Sequence, residues 1–270
     1  MNYAVFHSVL FLVKKGGCVI DKVNDYLKQI VCVQKTSSGC FCNKCIFCRK
    51  IISNNYNDWV WLDASDGTFS KSKILEVQNR FMISGLESCQ KKFFLINNFD
   101  LCNLQVYNSL LNFIENFEQN IYFIFIAKNS KIIPETILSR CQIINIFCDD
   151  EKWKEMKENF QLSDNDIEDL KLIYWTFDES VKFVNNGEFT KIKKICADML
   201  NAKNLTNLYN SLEAFKKMTY DNIKRIIVYL MNQEGLREKY LNLANLVALL
   251  KYNPSRISIF DKILKCLGNA

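Results

Sequence analysis

Residues 9–33 read VLFLVKKGGCVIDKVNDYLKQIVCV, and they combine three signals in one stretch. Val9 to Val13 is an apolar run short enough for a buried strand. Lys14 to Gly17 is a polar, Gly-containing turn. Val19 to Val33 has helical periodicity, with Val23, Tyr26, Leu27, Ile30 and Val31 on one side. Strand, glycine turn and helix in that order are the layout of a phosphate-binding loop. The chemistry that makes such a loop work is missing. It requires G-x-x-x-x-G-K-[ST], and residues 13–21 read VKKGGCVID, with no Lys followed by Ser or Thr. Lys14 or Lys15 can still meet an anion, but solvated lysines are the ordinary reading.

Apolar runs recur further along. Trp59 to Asp63, Phe93 to Ile96, Ile121 to Ala127 and Ile143 to Phe147 read as strands. Lys71 to Ser84, Leu104 to Phe117 and Pro134 to Arg140 read as helices between them. This alternation predicts an α/β domain with a mostly parallel sheet. Asn97, Asn98 and Asp100 follow the third strand, where a nucleotide hydrolase carries adjacent acidic residues for magnesium and water. Here only Asp100 is acidic, a second missing catalytic element. Asn129 follows the fourth strand, at the place of a γ-phosphate sensor, and with the rest of that site lost it reads as a turn residue.

From Asp149 onward only helical patterns appear. They run 151–160, 163–177, 178–184, 191–200, 205–218, 220–232, 236–251 and 254–267, with Ser163 and Thr219 as caps. Asn185-Asn186-Gly187 is the best internal boundary. The expected domains are therefore 1–148, 149–190 and 191–270.

Between the first helix and the second strand lies the strongest chemical signal. Val31 to Cys48 reads VCVQKTSSGCFCNKCIFC and holds five cysteines. Cys42, Cys45 and Cys48 form C-x-x-C-x-x-C, a step that lets a tight turn point sulfurs at one cation. Cys32 or Cys40 supplies a fourth ligand. Four thiolates with no open position would make a structural zinc site, and free thiols are the competing reading. Cys18, Cys89, Cys102, Cys148, Cys196 and Cys266 read as small apolar residues.

Composition is consistent with an ordinary globular protein. The 270 residues are 49% hydrophobic and 24% charged, with only 2 Pro and 8 Gly. The 12 cysteines, clustered and scattered, favour reduced thiols and a cytoplasmic setting over a secreted disulfide framework. Net charge is +6 without a dense basic run, so charge alone names no partner. Ala4 to Val13 and Ile121 to Ala127 are too short to span a bilayer, and Lys14 and Lys15 follow the first run where a leader would have them precede it. No membrane partner is expected. His7, the single histidine, reads as a packed residue.

Several segments together resemble a known family, the delta prime subunits of the bacterial DNA polymerase III clamp loader, relatives of AAA+ ATPases. The matching pieces are His7-Ser8-Val9-Leu10-Phe11; Cys32 with Cys42, Cys45 and Cys48; Asn108-Ser109-Leu110-Leu111 followed by Ile114-Glu115; and Pro134 to Gln142, which contains Ser139-Arg140-Cys141. The resemblance covers residues 7–147 and only the helical character beyond.

The resemblance implies an AAA+-like domain with an inserted zinc knuckle, then a helical lid and a helical collar. It implies Cys32, and not Cys40, as the fourth zinc ligand. A degenerate nucleotide pocket would comprise Lys14, Lys15, Gly16, Gly17, Asn97, Asn98, Asp100 and Asn129. The expected role is that of a subunit without ATPase activity of its own in a heteropentameric complex. Its partners would be motor subunits of the gamma or tau type and a delta subunit, with the sliding clamp and primer–template DNA reached through the complex. Arg140 would act in trans as an arginine finger on a motor's ATP, with Ser139 and Cys141 positioning the helix. From the residues alone, a structural Arg140 pairing a local carboxylate such as Glu135 stands level with that role. The departures from the family are Asn112 for its Lys and Asn116 for its second Glu. An active gamma- or tau-type NTPase and a zinc-knuckle nucleic-acid-binding protein are the competing functions.

Overall fold

Parallel pairing of five apolar strands sets the architecture of the first half of the chain. In the computed structural model, which describes residues 4–65, 69–83, 85–116, 120–201, 205–233 and 236–268, these are β1 (Ser8–Val13), β2 (Trp59–Asp63), β3 (Lys92–Asn97), β4 (Ile121–Ala127) and β5 (Gln142–Ile146). They pair in the order β2-β3-β4-β1-β5, all parallel. Every residue of β1 and β4 is buried, as continuous apolar runs in a doubly covered sheet should be.

Alternate side chains leave a strand on opposite faces, and the core follows that rule. On one face Val9, Phe11, Phe93, Leu95 and Ile124 pack with α1 (Val19–Val31) and α2 (Ile46–Ile52). On the other, Leu10, Phe94, Ile96, Phe123 and Phe125 pack with α3 (Lys71–Phe81) and α4 (Leu104–Glu115). A short helix, α5 (Glu135–Leu138), precedes β5, with Pro134 as its N-cap.

The boundaries differ from the sequence expectation where a tertiary contact decides them. α1 stops at Val31, because the knuckle pulls the chain out of helix at Cys32. α2 has seven residues, too few for a periodicity signal, and was not expected. β5 starts one residue early, because Gln142 pairs with Val9, and Phe147 leaves the strand exposed. α3 and α4 end at Phe81 and Glu115, with Met82 and Asn116 as C-caps, short of the expected ends at Ser84 and Phe117, which lie outside the described residues. Lys92, a charged residue on a buried strand, is accommodated by donating to the carbonyls of Phe81 and Ile83.

The chain divides into two units, Met1–Cys148 and Asp149–Ala270. The second contains α6 (Asp150–Asn159), α7 (Asp164–Ile173), α8 (Phe177–Asn185), α9 (Glu188–Leu200), α10 (Leu205–Lys216), α11 (Tyr220–Met231), α12 (Tyr240–Leu249) and α13 (Arg256–Leu267). One apolar cluster runs through them from Trp153 to Leu267. Ser163 and Thr219 cap α7 and α11 as their side chains suggested.

The helix expected over 163–177 ends early. Thr176 forms a capping box in which its hydroxyl accepts from the Glu179 N–H at 3.1 Å and the Glu179 carboxylate accepts from the Thr176 N–H at 3.2 Å. That local closure starts α8 and breaks the longer apolar pattern. Thr176→Ala should cost about 1 kcal/mol locally. Hydrogen exchange should then show the Glu179 and Ser180 amides opening about fivefold faster; unchanged protection would mean the box does not set the break.

Candidate functional site

All five strands run in one direction, so their C-terminal ends share one edge of the sheet, where a nucleotide would be expected to bind. The turn after β1 is closed on itself. The Lys14 N–H donates to the Ile146 carbonyl at 2.8 Å and the Gly17 N–H donates to the Lys14 carbonyl at 2.9 Å. Gly16 takes the left-handed conformation the turn needs, at φ +80°. A methyl group on Gly17 would lie 3.0 Å from Ile146 Cγ2 and 3.0 Å from the Lys14 carbonyl, so the turn is pressed against β5. The Gly17 N–H is thus spent inside the turn. Lys14 and Lys15 are exposed.

The start of α1 carries a carboxylate of its own. Asp21 stands in the first turn and accepts from the Cys18 thiol at 3.3 Å. It occupies the positive end of the helix, which would otherwise favour a phosphate. Asp21 is legible in the sequence, and its meaning lies in its distance of three residues from the cap at Cys18.

The neighbouring strand ends are also occupied. The side-chain amides of Asn97 and Asn98 each donate to Asp63 at 2.8 Å, and the Ser65 hydroxyl and N–H donate to the same carboxylate. Burial acts to raise the Asp63 carboxyl; the Asn98 amide, Ser65 and the Asn97 amide outweigh it, and the group titrates below its ordinary value. Asp100 accepts from the N–H groups of Lys128 and Asn129 at 3.3 and 3.2 Å. Asn129 itself accepts from the Lys131 N–H at 3.0 Å. The residues expected in a degenerate pocket therefore lie along one sheet edge, and these asparagines and Asp100 are engaged locally. Asp63, which organises the pair Asn97 and Asn98, carried no motif in the sequence.

The cysteines converge. Cys32 ends α1, Cys45 caps α2, Cys48 lies in its first turn, and the Sγ atoms of Cys32, Cys42, Cys45 and Cys48 lie within 4.8 Å of one another. Four thiolates around a zinc-sized ion stand about 3.8 Å apart, from Zn–S bonds of about 2.3 Å in tetrahedral geometry. Asn43 supplies the left-handed turn, at φ 56°. The N–H groups of Cys45 and Lys44 then reach Cys42 Sγ at 3.2 and 3.4 Å, and the Cys42 N–H reaches Cys32 Sγ at 3.3 Å. Donation from Cys45 and Lys44 draws the Cys42 thiol down to about 6. Burial, with Cys45 and Cys32 alongside, pushes the Cys48 thiol up. Sulfurs this close favour a cation that lets all of them ionise together, so the donor set fits a soft metal in a closed site.

Cys40 does not join the cluster. Its N–H donates to Thr36 Oγ1 at 3.1 Å and its carbonyl accepts from the Thr36 N–H at 2.8 Å, closing a separate turn. Buried Lys28 supports the knuckle from below, donating to Asn43 Oδ1 at 2.9 Å with its ammonium 4.2 Å from the centre of the Phe41 ring.

Arg140 lies between α5 and β5, at the opposite edge of the sheet. Its NH2 group is 2.6 Å from Glu115 Oε1, and its NH1 group donates to the Thr136 carbonyl at 2.8 Å and approaches Ser139 Oγ at 3.4 Å. The carboxylate partner is Glu115 and not Glu135, because α4 ends beside the loop that carries Arg140. An open cavity of about 450 Å³ is lined by Arg140 and Glu115 together with Phe6, His7, Ser8 and Gln142. Cys141 is half-buried, and desolvation pushes its thiol up to about 12, which suits packing more than chemistry. His7 is exposed and stacks on Tyr122 with ring centres 4.9 Å apart.

Residues 2–149 match the family described as "DNA polymerase III, delta subunit". An uncharacterized protein of Mycoplasma pneumoniae, the MG007 homolog, is 28% identical over 262 residues, covering 96% of this chain and 97% of that protein. The DNA polymerase III subunit delta′ of Bacillus subtilis is 30% identical over 138 residues, covering 51% of this chain. That match covers 41% of the Bacillus protein's own length. A crystal structure of a DNA polymerase III gamma subunit-related protein from Thermotoga maritima superposes with a TM-score of 0.63 at 12% identity, covering 97% of this chain and 93% of the other. At that identity the likeness is one of fold.

The knuckle geometry makes a direct prediction. The purified chain should carry one metal ion, measured by elemental analysis, with a tetrahedral thiolate spectrum after cobalt exchange. Cys48→Ser should lose the ion and Cys40→Ser should keep it; retention by Cys48→Ser would contradict the four-sulfur assignment.

Proposed function

The chain belongs to the DNA polymerase III delta-subunit family, as a delta prime-like clamp-loader subunit, and we propose that it works there without hydrolysing ATP, lending Arg140 to the nucleotide site of a neighbouring motor subunit. The observation that carries this reading is the placement of Arg140. Gln142, two residues on, pairs with Val9 at the start of β1, whereas the turn at Lys14–Gly17 follows the end of β1. Along β1 the two edges stand roughly 17 Å apart, at about 3.3 Å per residue. An arginine at the strand-start edge does not reach a nucleotide held at its own strand-end edge, but it can face the site of an adjacent chain. A guanidinium there would stabilise charge on the transferring phosphoryl group.

The closed turn, Asp21 at the helix start and the engaged asparagines support the absence of hydrolysis in this chain. The same features argue against a gamma- or tau-type motor, which needs a phosphate cradle and a magnesium carboxylate. In the knuckle, zinc is the metal that best fits four thiolates, with a structural role in stapling α1 to α2. Cys32, Cys45 and Cys48 are buried against these helices, which argues against a knuckle that reads nucleic acid directly.

Within this reading, residues 149–190 act as a lid and 191–270 as a collar that holds sister subunits in a heteropentamer. The partners are gamma- or tau-type motors and a delta subunit, acting on a sliding clamp at primer–template DNA in the cytoplasm. The purified chain should show no ATPase activity alone. In a reconstituted complex, Arg140→Ala should assemble normally and lower DNA-stimulated ATP turnover, by up to about 10³ at the site it serves. Unchanged turnover would remove the finger role.

A further inference from the structure

Glu115 is the last residue of α4, and it is a carboxylate at the end of the helix that disfavours one. The C-terminal end of a helix carries about half a negative charge, and no basic residue lies in the last turn of α4 to offset it. Among the described residues, the one polar partner of the Glu115 side chain is Arg140, at 2.6 Å. The pair comes from two separate elements, the end of α4 and the loop after α5.

Both side chains are well exposed, 39% for Arg140 and 44% for Glu115. Ion pairs of that exposure contribute little to the stability of a fold. What the contact does is restrict the arginine. Glu115 holds one end of the guanidinium while the Thr136 carbonyl holds NH1, and the Nε–H has no partner among the described residues. The planar group is thereby fixed, with a donor left over, beside the open cavity of about 450 Å³. Fixing a donor before its anion arrives removes an ordering cost from the step in which it acts.

We propose that Glu115 is a positioning residue, whose carboxylate presets the Arg140 guanidinium toward a phosphate group presented by an adjacent chain. The proposal rests on the reading of Arg140 given above and adds to it a second residue with a distinct role. Glu115 does not meet the phosphate, which its charge would repel. It acts through Arg140 alone, and that restriction makes it testable.

The test is a double-mutant cycle in the reconstituted complex of motor, delta, clamp and primer–template DNA, with assembly followed by size-exclusion chromatography. Glu115→Ala should lower DNA-stimulated turnover roughly tenfold at the served site, in line with the cost of a misplaced catalytic group, and leave the KM for ATP unchanged. It should add no further loss in the Arg140→Ala background. Glu115→Asp, which keeps the charge, should recover part of the rate, and Glu115→Gln should recover less. Four results would overturn the proposal. Normal turnover in Glu115→Ala while Arg140→Ala is impaired would remove the positioning role and leave the finger intact. Faster turnover would make the carboxylate a restraint. Losses that multiply in the double variant would show that Glu115 acts apart from Arg140. Normal turnover in Arg140→Ala would remove the finger reading, and this proposal with it.

Discussion

The pairing of β1 between β4 and β5 is the constraint from which the rest follows. All six residues of β1 are buried, and the strand is hydrogen-bonded on both sides in fixed parallel register. A slip of one residue would turn Val9, Phe11 and Val13 out of one core and Leu10 out of the other. The register therefore fixes both ends of the strand. At its end it presses the Lys14–Gly17 turn onto Ile146. At its start it sets Ser8 beside the loop that carries Arg140. The two edges of one sheet thus differ in character, one closed by its own chain and one open with a guanidinium at its border.

Electrostatics accounts for the closed edge. The places where a nucleotide hydrolase gathers phosphate and magnesium are taken by this chain's own groups: Asp21 at the helix start, the Asp63 carboxylate under the two asparagines, and Asp100 under the following turn. Each satisfies a local donor. Clearing any of them for a ligand would break a hydrogen bond that its donor already makes, a cost the ligand has to offset. The knuckle is independent of this edge. Its sulfurs draw on N–H donors within the 42–45 turn and on the ends of α1 and α2, so a metal there would tie two helices together without approaching the turn after β1.

Much of this was legible in the sequence. The strands could be read because a doubly buried parallel strand is a run of large apolar residues, and β4 is one such run over its whole length. Cys42, Cys45 and Cys48 could be read because their spacing is itself the geometry. The choice of Cys32 over Cys40 rests on resemblance and on the awkward one-residue step from Cys40 to Cys42, whereas the Thr36 turn that holds Cys40 aside has no signature in spacing. Asp63 and Glu115 were not found as partners because their significance is a contact across 34 and 25 residues, which no local pattern encodes. α2 was missed because seven residues are too few to show a period. The break between α7 and α8 falls at Tyr174–Thr176, ahead of the 177/178 boundary read from the sequence, because the Thr176–Glu179 capping box lies inside an apolar run.

A strand-end edge closed by this chain's own groups holds no nucleotide. Calorimetric titration of the purified, metal-loaded chain with magnesium-ATP measures that most directly. No saturable heat is expected, and the thermal midpoint of the chain should be unmoved by the nucleotide. Saturable, magnesium-dependent binding that Asp63→Ala or Asp100→Ala abolished would contradict it.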